Sequence, residues 1–354
     1  MVDALRNLLI VGNNVANKPP LNSRTHVLFV TKIIPLELLD ETITQSEPSG
    51  TLAWGKSLSR GGVISIGNFD GVHLGHVSLL RRVRELANLA GVSATIVSFE
   101  PHPAAVLRPT DAPLRLMTME RRAEVMSEYG IDQLLVCPVT PSFLQLSATD
   151  FFSMLVKNCL ETSAMVEGPN FYFGREREGD LTLLKKLCLQ NRIDLEIITP
   201  SENSEGMISS TRIRLLLETG EVEMANQLLS HPHQIKGVVA AGAGRGREIG
   251  FPTANLTDVD VLVPGVGVYG GTALINGEKH LAAIHVGPNP TFEDDNQRKI
   301  EVHLLDYDGD LYGKTIEVAF LLRLRDVVRF SSTNELILQL ETDVAAVRNY
   351  SFTN

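Results

Sequence analysis

The sequence is poor in cysteine, contains no long apolar segment and carries no excess of basic residues. Its 354 residues include three cysteines, Cys137, Cys159 and Cys188, which are widely spaced and form no CxxC pair. This spacing argues against a disulfide framework and favours free thiols in a reducing compartment. No apolar run approaches the roughly 20 residues that a membrane-spanning helix needs, and the N-terminus lacks the layout of a signal peptide. We therefore expect a soluble, cytoplasmic protein without a membrane partner.

The acidic charge limits the partners further. The formal net charge is −10 at pH 7, whereas non-specific binding of nucleic acid requires a basic face for the phosphate backbone. Small anions can still be bound by local hydrogen-bond donors. We expect small-molecule substrates and no nucleic-acid partner, and no oligomeric state follows from the sequence.

The pattern of the chain changes twice, which together with its length predicts two domains. Residues 1–60 show no clear periodicity, and their only strand candidate is the apolar stretch 26–34. From Gly62 to about residue 230, strands alternate with helices, and beyond His231 strand-like segments separated by turns take over. We predict an N-terminal extension of undetermined order (1–60), an α/β domain (61–230) and a mostly β domain (231–354).

The α/β domain contains short apolar strands, each followed by a helical pattern. The predicted strands are residues 62–67, 93–99, 133–139 and 164–168. Alternating strands and helices predict a parallel sheet with right-handed crossovers, in which ligands bind beyond the carboxyl ends of the strands. The β domain is predicted to be a small antiparallel barrel with a C-terminal helix, and Asn276-Gly277 and Asp308-Gly309 are hairpin candidates.

The segment GNFDGVHLGH, from Gly67 to His76, follows a predicted strand and opens a helix. Its two histidines, His73 and His76, share one helix face, and the first N–H groups of the helix point to the same place. Gly67 and Gly75 allow a ligand to approach the backbone. The alternative is a glycine turn capped by Asp70, with two solvent-exposed histidines.

A second segment of the same domain, ISSTRIR from Ile208 to Arg214, also places hydroxyl and guanidinium groups at a helix N-terminus. Alone, it is equally typical of a capped amphipathic helix with exposed arginines. Two such segments in one domain favour a phosphate-binding site.

These segments, with SFEPHP (98–103) and VEGPNFYFGREREGD (166–180), resemble the adenylyltransferase module of prokaryotic bifunctional riboflavin kinase/FAD synthetases. The segments GAGRGREIGFPTAN (242–255) and EVHLLDYDGDLYG (301–313) resemble the riboflavin kinase module of the same proteins. The resemblance covers the chain from about residue 62 onward. It implies a Rossmann-like nucleotidyltransferase domain followed by the barrel of the kinase.

The resemblance also implies the residues of the first site. His73, His76, Ser210, Thr211 and Arg214 would bind the phosphates of ATP. The nucleotide and flavin crevice would be lined by Gly67, Phe69, Asp70, Gly75 and Asn170, where many relatives have Asp at position 170. Adenylyl transfer to FMN needs no general base, because the attacking phosphate oxygen is already anionic; the site has to align the reactants and neutralise charge.

The kinase reaction makes a different demand, because the attacking ribityl hydroxyl of riboflavin must lose its proton. The resemblance assigns Glu301 as the base, although the strand pattern alone favours an ordinary outward-facing glutamate. Thr253 and Asn255 offer two hard oxygen ligands for the Mg²⁺ that accompanies ATP. A flexible basic loop with Gly242, Gly244, Arg247 and Gly250 would cover the phosphates; it lacks the GKS or GKT ending of a P-loop.

The sequence thus predicts an enzyme that converts riboflavin and ATP to FMN, and FMN and a second ATP to FAD and pyrophosphate, with Mg²⁺. One alternative is a nucleotidyltransferase that acts on another phosphate acceptor. A class I aminoacyl-tRNA synthetase shares the HxGH pattern, but no KMSKS-like loop or basic face is found. A non-catalytic flavin-binding protein is the third alternative.

Overall fold

The computed structural model describes six segments of the chain. They are residues 31–35, 59–199, 202–203, 206–242, 244–288 and 298–350. Most of the predicted N-terminal extension lies outside these segments.

The N-terminal half of the described chain is built on a six-stranded parallel sheet, as predicted. Its strands are β1 (Lys32–Pro35), β2 (Val63–Ile66), β3 (Ala94–Glu100), β4 (Gln133–Pro138), β5 (Ala164–Glu167) and β6 (Asp194–Ile197). Their order is β1-β4-β3-β2-β5-β6. Because the chain winds away from β2 in both directions, the carboxyl ends of β2 and β5 flank the switch point at which ligands bind in such sheets. The edge strand β1 is the described part of the predicted strand 26–34.

Helices connect these strands. In chain order they are α1 (Leu74–Ala90), α2 (Pro103–Leu107), α3 (Met119–Glu128), α4 (Pro141–Leu144), α5 (Ala148–Phe151, which continues into π-helical turns at Phe152–Cys159), α6 (Leu181–Asn191), α7 (Ser210–Glu218) and α8 (Val222–Leu228). Short 3₁₀ turns lie at Pro109–Asp111 and Arg175–Arg177, and a two-stranded ribbon joins β7 (Glu202–Asn203) to β8 (Gly206–Met207). Helix α1 ends as its sequence predicts, because Gly91 adopts the left-handed conformation (φ 68°) that closes a helix.

The C-terminal half forms a closed antiparallel barrel, again as predicted. Its strands are β9 (Gln234–Ala240), β10 (Ala254–Thr257), β11 (Gly267–Ile275), β12 (Glu278–Pro288), β13 (Arg298–Leu304) and β14 (Thr315–Arg325). They close in the order β10-β13-β12-β11-β14-β9. Helix α9 (Arg245–Glu248) lies in the glycine-rich loop, and α10 (Thr333–Asn349) is the predicted C-terminal helix.

Only one of the two predicted hairpins exists. Asn276 and Gly277 have positive φ angles of 49° and 84° and join β11 directly to β12, as a tight primed turn requires. Asp308-Gly309 lies instead in the longer connection from β13 to β14, two strands that pair with other neighbours. The hairpin prediction was wrong there, because a turn dipeptide does not determine which strands pair across it.

The two halves share one hydrophobic cluster, while two other clusters of the described residues lie within the sheet half alone. Helices α7 and α8 follow the parallel sheet in the chain and pack against the barrel. Their buried residues form one cluster with buried barrel residues: Ile213, Leu217, Val222, Ala225 and Leu228 from the helices; Ile235, Tyr269, Val318 and Phe320 from the barrel. The backbone N–H of Gly265 in the barrel donates to the carbonyl of Leu217 at 2.8 Å. The helix of the ISSTRIR segment is therefore held by both halves.

This shared core predicts that one substitution in it destabilises the whole chain. Leu217 is fully buried, and Leu217→Ala should lower the free energy of unfolding by about 2–5 kcal/mol through the cavity it leaves. Leu215, on the same helix but 60% exposed, is the matched control, and Leu215→Ala should change stability by less than about 0.5 kcal/mol. Scanning calorimetry measures both. Two separate transitions, of which only one moves in Leu217→Ala, would contradict a shared core.

Candidate active sites

The turn between β2 and α1 has an unusual backbone. Phe69, Gly71 and Val72 have positive φ angles of 50°, 84° and 36°, and positive φ is a rare conformation for a β-branched residue such as Val72. A Cβ atom at Gly71 would lie 2.7 Å from the Leu116 side chain, so only glycine fits there. The turn places His73 at the N-cap of α1.

His73 and His76 lie together at this helix mouth, as predicted, but they are not the exposed pair of the alternative interpretation. Their rings stack with centroids 3.6 Å apart, and Nδ1 of His73 accepts the backbone N–H of His76 at 3.3 Å. Burial lowers the pKa of His73 to about 4, and burial also lowers the pKa of His76 well below its ordinary value. Both rings are therefore neutral at pH 7. The Nδ1 atom of His76 is buried without a hydrogen-bond partner.

Asp70 is the centre of a buried charge cluster beside the two histidines. Its carboxylate accepts from the backbone N–H of Leu116 at 3.1 and 3.0 Å, from Arg122 at 3.3 Å and from Arg214 at 2.5 Å. The Asp70 side chain is 5% exposed. Arg214 also donates through Nε to the carbonyl of Leu114 at 2.7 Å. The predicted residue Arg214 therefore lies beside the two histidines, and its guanidinium is already bound to Asp70 and to the Leu114 carbonyl.

The other residues of the ISSTRIR segment have different environments. Ser210 donates through Oγ to the carbonyl of Asp70 at 2.8 Å, which joins α7 to the turn after β2. Ser209 caps the helix, and Thr211 is exposed. Asn170 is not part of the Asp70 network among the described residues; its side-chain amide contacts the sulfur of Met207 at 3.5 Å.

A cavity of about 250 Å³ opens next to this cluster. Its lining includes Phe99, His102, Leu114, Arg115, Arg122 and Asp260. His102 Nε2 lies 2.9 Å from the amide of Asn68, so the SFEPHP loop lies directly beside the GNFDG turn. Arg122 is 5% exposed, and its Nε has no hydrogen-bond partner. The lining also contains Asp70, Glu100 and Asp260, of which the last two pair with Arg115, so the cavity combines apolar walls with paired charges of both signs.

A buried carboxyl group lies beneath the switch point. Glu167, the last residue of β5, is 2% exposed and accepts the backbone N–H of Ile66 at 2.9 Å. This bond joins the carboxyl ends of β2 and β5 directly before Gly67. Burial raises the pKa of Glu167 well above its ordinary value, so the carboxyl group is favoured in its neutral form.

A second cavity, of about 280 Å³, lies in the barrel half. Thr253, His285, Glu301 and His303 line it on one side, and Val327, Phe330 and Leu336 contribute apolar walls. Deeper in the wall, Arg325 makes a bidentate ion pair with Asp343 of α10, with contacts of 2.7 to 3.1 Å. Since Asp343 is 4% exposed, this is a buried ion pair, and both of its residues line the cavity.

The predicted base Glu301 lies in this second cavity. One carboxylate oxygen accepts from Lys299 at 2.7 Å, and the other lies 3.2 Å from Nδ1 of His285, the residue opposite it on β12. The hydrogen bond with His285 and the charge of Lys299 lower the pKa of Glu301 to about 2, against the opposing effect of partial burial. Glu301 is therefore ionised across the physiological range and able to accept a hydrogen bond from a hydroxyl group.

The glycine-rich loop meets Glu301 through Asn255. Asn255 lies opposite Glu301 in the pairing of β10 with β13, and a Cβ atom at Gly242 would lie 2.1 Å from the Asn255 amide nitrogen. Gly242 is thus required for this contact. Gly244 and Gly250 have positive φ angles of 73° and 88°, and Arg247 lies between them in α9. Thr253 is exposed at the mouth of the cavity.

Several residues of these sites were missed from the sequence. Arg122 and Glu167 lie inside a regular helix and a regular strand, where nothing distinguishes them from exposed charges. Lys299 and His285 become partners of Glu301 only through strand register. A charged residue in an otherwise apolar strand, as in AMVE, was the one signal that would have drawn attention to Glu167.

Comparisons with known proteins agree with both halves of the chain. Residues 56–212 match the family model of FAD synthetase, and residues 229–351 match that of riboflavin kinase. The bifunctional riboflavin kinase/FMN adenylyltransferase of Listeria monocytogenes is 36% identical over 290 residues, which cover 81% of this chain and 92% of that protein. The protein of the same name from Escherichia coli is 36% identical over 291 residues, covering 82% and 93%.

A solved structure has the same fold over most of its length. A crystal structure described as a macrolide-efflux protein from Streptococcus pneumoniae aligns with a TM-score of 0.79 and 31% identity, covering 90% of this chain and 99% of that one. In the part of the present chain that the structure describes, no helix has the length and apolar character to cross a membrane.

The buried carboxyl of Glu167 predicts a pH dependence of stability. Below its ordinary pKa the carboxyl group is protonated in both the folded and the unfolded chain, so it does not lower the stability of the fold. As the pH rises above about 4.5, the unfolded chain ionises while the folded chain retains the proton, and stability falls until the raised pKa is reached. Glu167→Gln keeps an acceptor for Ile66 but does not ionise. The free energy of unfolding of Glu167→Gln, minus that of the natural protein, should therefore rise by up to about 1.4 kcal/mol per pH unit above pH 5.

Urea unfolding of both proteins between pH 5 and pH 8 measures this difference. Titration of other groups cancels when the two curves are subtracted. Parallel curves would show that Glu167 is ionised in the folded protein.

Proposed function

The chain belongs to the bifunctional riboflavin kinase/FMN adenylyltransferase family, and we propose how its residues divide the two reactions. It phosphorylates riboflavin with ATP to give FMN, and it transfers an adenylyl group from a second ATP to FMN to give FAD and pyrophosphate. We assign adenylyl transfer to residues 61–230 and phosphorylation to residues 231–354, with residues 1–60 as an N-terminal extension whose described strand β1 adds an edge to the first sheet.

In adenylyl transfer, an oxygen of the FMN phosphate attacks the α-phosphorus of ATP. The enzyme has to hold both phosphates and neutralise the charge that develops. The stacked pair of His73 and His76 at the N-terminus of α1, beside Arg214 and Ser210, is the observation that carries this assignment. The neutral imidazoles serve as N–H donors, Arg214 supplies positive charge, and Gly67, Phe69, Gly75, Thr211 and Asn170 line the nucleotide.

The 250 Å³ cavity supports a place for the acceptor. Its apolar walls fit a flavin ring, and it opens directly beside Asp70 and Arg122. Arg115 and Arg122 are the groups that would face the negative charge of FMN. Bound there, FMN would lie next to the His73 turn.

In the kinase reaction, Glu301 accepts the proton of the ribityl hydroxyl as that oxygen attacks the γ-phosphorus of ATP. Lys299 and His285 hold the two carboxylate oxygens. The loop of Gly242, Gly244, Arg247 and Gly250 covers the phosphates.

Mg²⁺ fits the residues present in this site. Thr253 contributes a hydroxyl oxygen and Asn255 an amide oxygen, and both are hard ligands of the kind that Mg²⁺ uses together with phosphates and water. When bound, the ion would screen the phosphate charges. Asn255, packed on Gly242 and opposite Glu301, would fix it near the base.

We also propose a cytoplasmic location. The three cysteines are unpaired and buried, and burial raises the pKa of Cys137 and of Cys188 to about 12. Free, unreactive thiols are typical of proteins in a reducing compartment.

Paired substitutions test the division of the two reactions. Glu301→Gln keeps the shape of the side chain but removes the base, so FMN formation from riboflavin should fall by about 100- to 10,000-fold. FAD formation from supplied FMN should persist. His76→Ala should do the reverse, lowering FAD formation by about 10- to 100-fold through loss of a donor to a charged phosphate.

Chromatography of the products separates the reactions, with ATP and Mg²⁺ present and either riboflavin or FMN supplied. Circular dichroism controls for folding. If folded Glu301→Gln loses both activities equally, or if His76→Ala makes FAD at the normal rate, the proposed division is wrong.

A further inference from the structure

The turn that carries His73 cannot hold its shape alone. Three of its residues, Phe69, Gly71 and Val72, have positive φ angles. Conformations of this kind persist in non-glycine residues only where the surroundings impose them. Because the turn determines where the first N–H groups of α1 and both histidines point, the contacts that impose it also determine the geometry of the site.

One of these contacts comes from the junction between the two halves of the chain. Ser230 follows α8 and precedes the first barrel strand, and its Oγ donates to the carbonyl of Val72 at 2.6 Å. The preceding residue, Leu229, forms an antiparallel bridge with His73. The junction therefore fixes the strained residue and the N-cap of α1 from the same side.

The junction is itself fixed by the barrel. The side chain of Asn226 donates to the carbonyl of Phe320 at 2.8 Å and accepts the backbone N–H of His233 at 2.8 Å. Leu228 and Leu229 are buried in the core shared with the barrel. A continuous series of contacts thus leads from strand β14 through α8 to Ser230 and Val72.

We propose that Ser230 is a positioning residue for adenylyl transfer, through which the kinase barrel holds the Val72–His73 turn in its reactive geometry. This inference rests on the proposed placement of that reaction at the His73 turn. Ser230 does not touch the reacting groups; it acts through the carbonyl of Val72. Loss of this hydroxyl group should therefore lower kcat, the rate at which bound reactants are converted, more than it weakens their binding.

Ser230→Ala in the full chain tests this role. The net contribution of one hydrogen bond corresponds to a fall of about 3- to 10-fold in kcat for FAD formation from FMN. KM for FMN and the rate of riboflavin phosphorylation should stay close to those of the natural protein. Ser230→Thr, which keeps the hydroxyl, should restore kcat. Hydrogen exchange at the amides of His73 and His76 should be faster in Ser230→Ala alone.

Ser127→Ala is the matched control, because Ser127 also donates to a backbone carbonyl, that of Glu124 at 2.5 Å, on an exposed helix end. It should leave both rates unchanged. If Ser230→Ala yields too little folded protein, Ser230→Cys keeps the volume with a weaker donor and should show the same fall in kcat.

Three results would overturn the inference: a normal kcat in Ser230→Ala, an equal loss of both activities, or a failure of Ser230→Thr to restore the rate. His76→Ala, assayed in parallel, shows whether the role of Ser230 is wrong or whether the adenylyl transfer reaction has been placed at the wrong site. A normal rate in His76→Ala would reject the placement of the reaction. A loss in His76→Ala with a normal rate in Ser230→Ala would reject only the role of Ser230.

Discussion

The buried carboxylate of Asp70 is the constraint on which the proposed adenylyltransferase site depends. It joins three segments that are distant in the sequence: its own turn after β2, the stretch that contains Leu116 and Arg122, and Arg214 of α7. Two guanidinium groups face this one carboxylate, while Glu100 and Asp260 pair with the neighbouring Arg115. Removing Asp70 would leave the guanidinium groups of Arg122 and Arg214 without their carboxylate partner, at a cost of about 3–5 kcal/mol. The same contacts therefore hold the fold and prepare the site.

The barrel reaches this cluster through the strap of residues 114–116. Arg214 and Asp70 hold the strap from one side, and from the other the backbone N–H of Leu262 in the barrel half donates to the carbonyl of Arg115 at 2.8 Å. Asp260 of the same barrel segment lines the cavity proposed for FMN. The two halves have separate sheets, and the sheet half has two hydrophobic clusters of its own, but the cluster around α7 and α8 contains residues of both halves. The halves proposed to catalyse the two sequential reactions are thus joined by shared packing and hydrogen bonds.

Much of this organisation could be predicted from the sequence, because it depends on local patterns. The strand after Gly62, the helix that ends at Gly91 and the turn at Asn276-Gly277 all follow from periodicity and turn chemistry. The motif residues His73, Arg214 and Glu301 were found where they were expected in the fold, while their roles stay predictions. What could not be predicted depends on contacts between distant segments. Arg122 looks like any exposed arginine of an amphipathic helix until Asp70 is placed beside it. Ser230 looks like an ordinary linker residue until α8 brings it to Val72.

The two sites handle charge in opposite ways, and this difference follows from their nucleophiles. Glu301 lies between Lys299 and His285, which keep it anionic and also lower its basicity; to act as the proposed base it would have to exchange one of these partners for the substrate hydroxyl. At the adenylyltransferase site the histidines are instead kept neutral, since protonating a buried imidazole beside Arg122 would be costly. In the proposed role, neutral rings would donate N–H groups to phosphate without adding charge that must be compensated when the site is empty. The permanent charge is left to the arginines, and Asp70 balances part of it. In the proposed function, a triphosphate bound by Arg214 would compete with Asp70 for its guanidinium, which would couple ATP binding to the contacts that hold the strap and the turn.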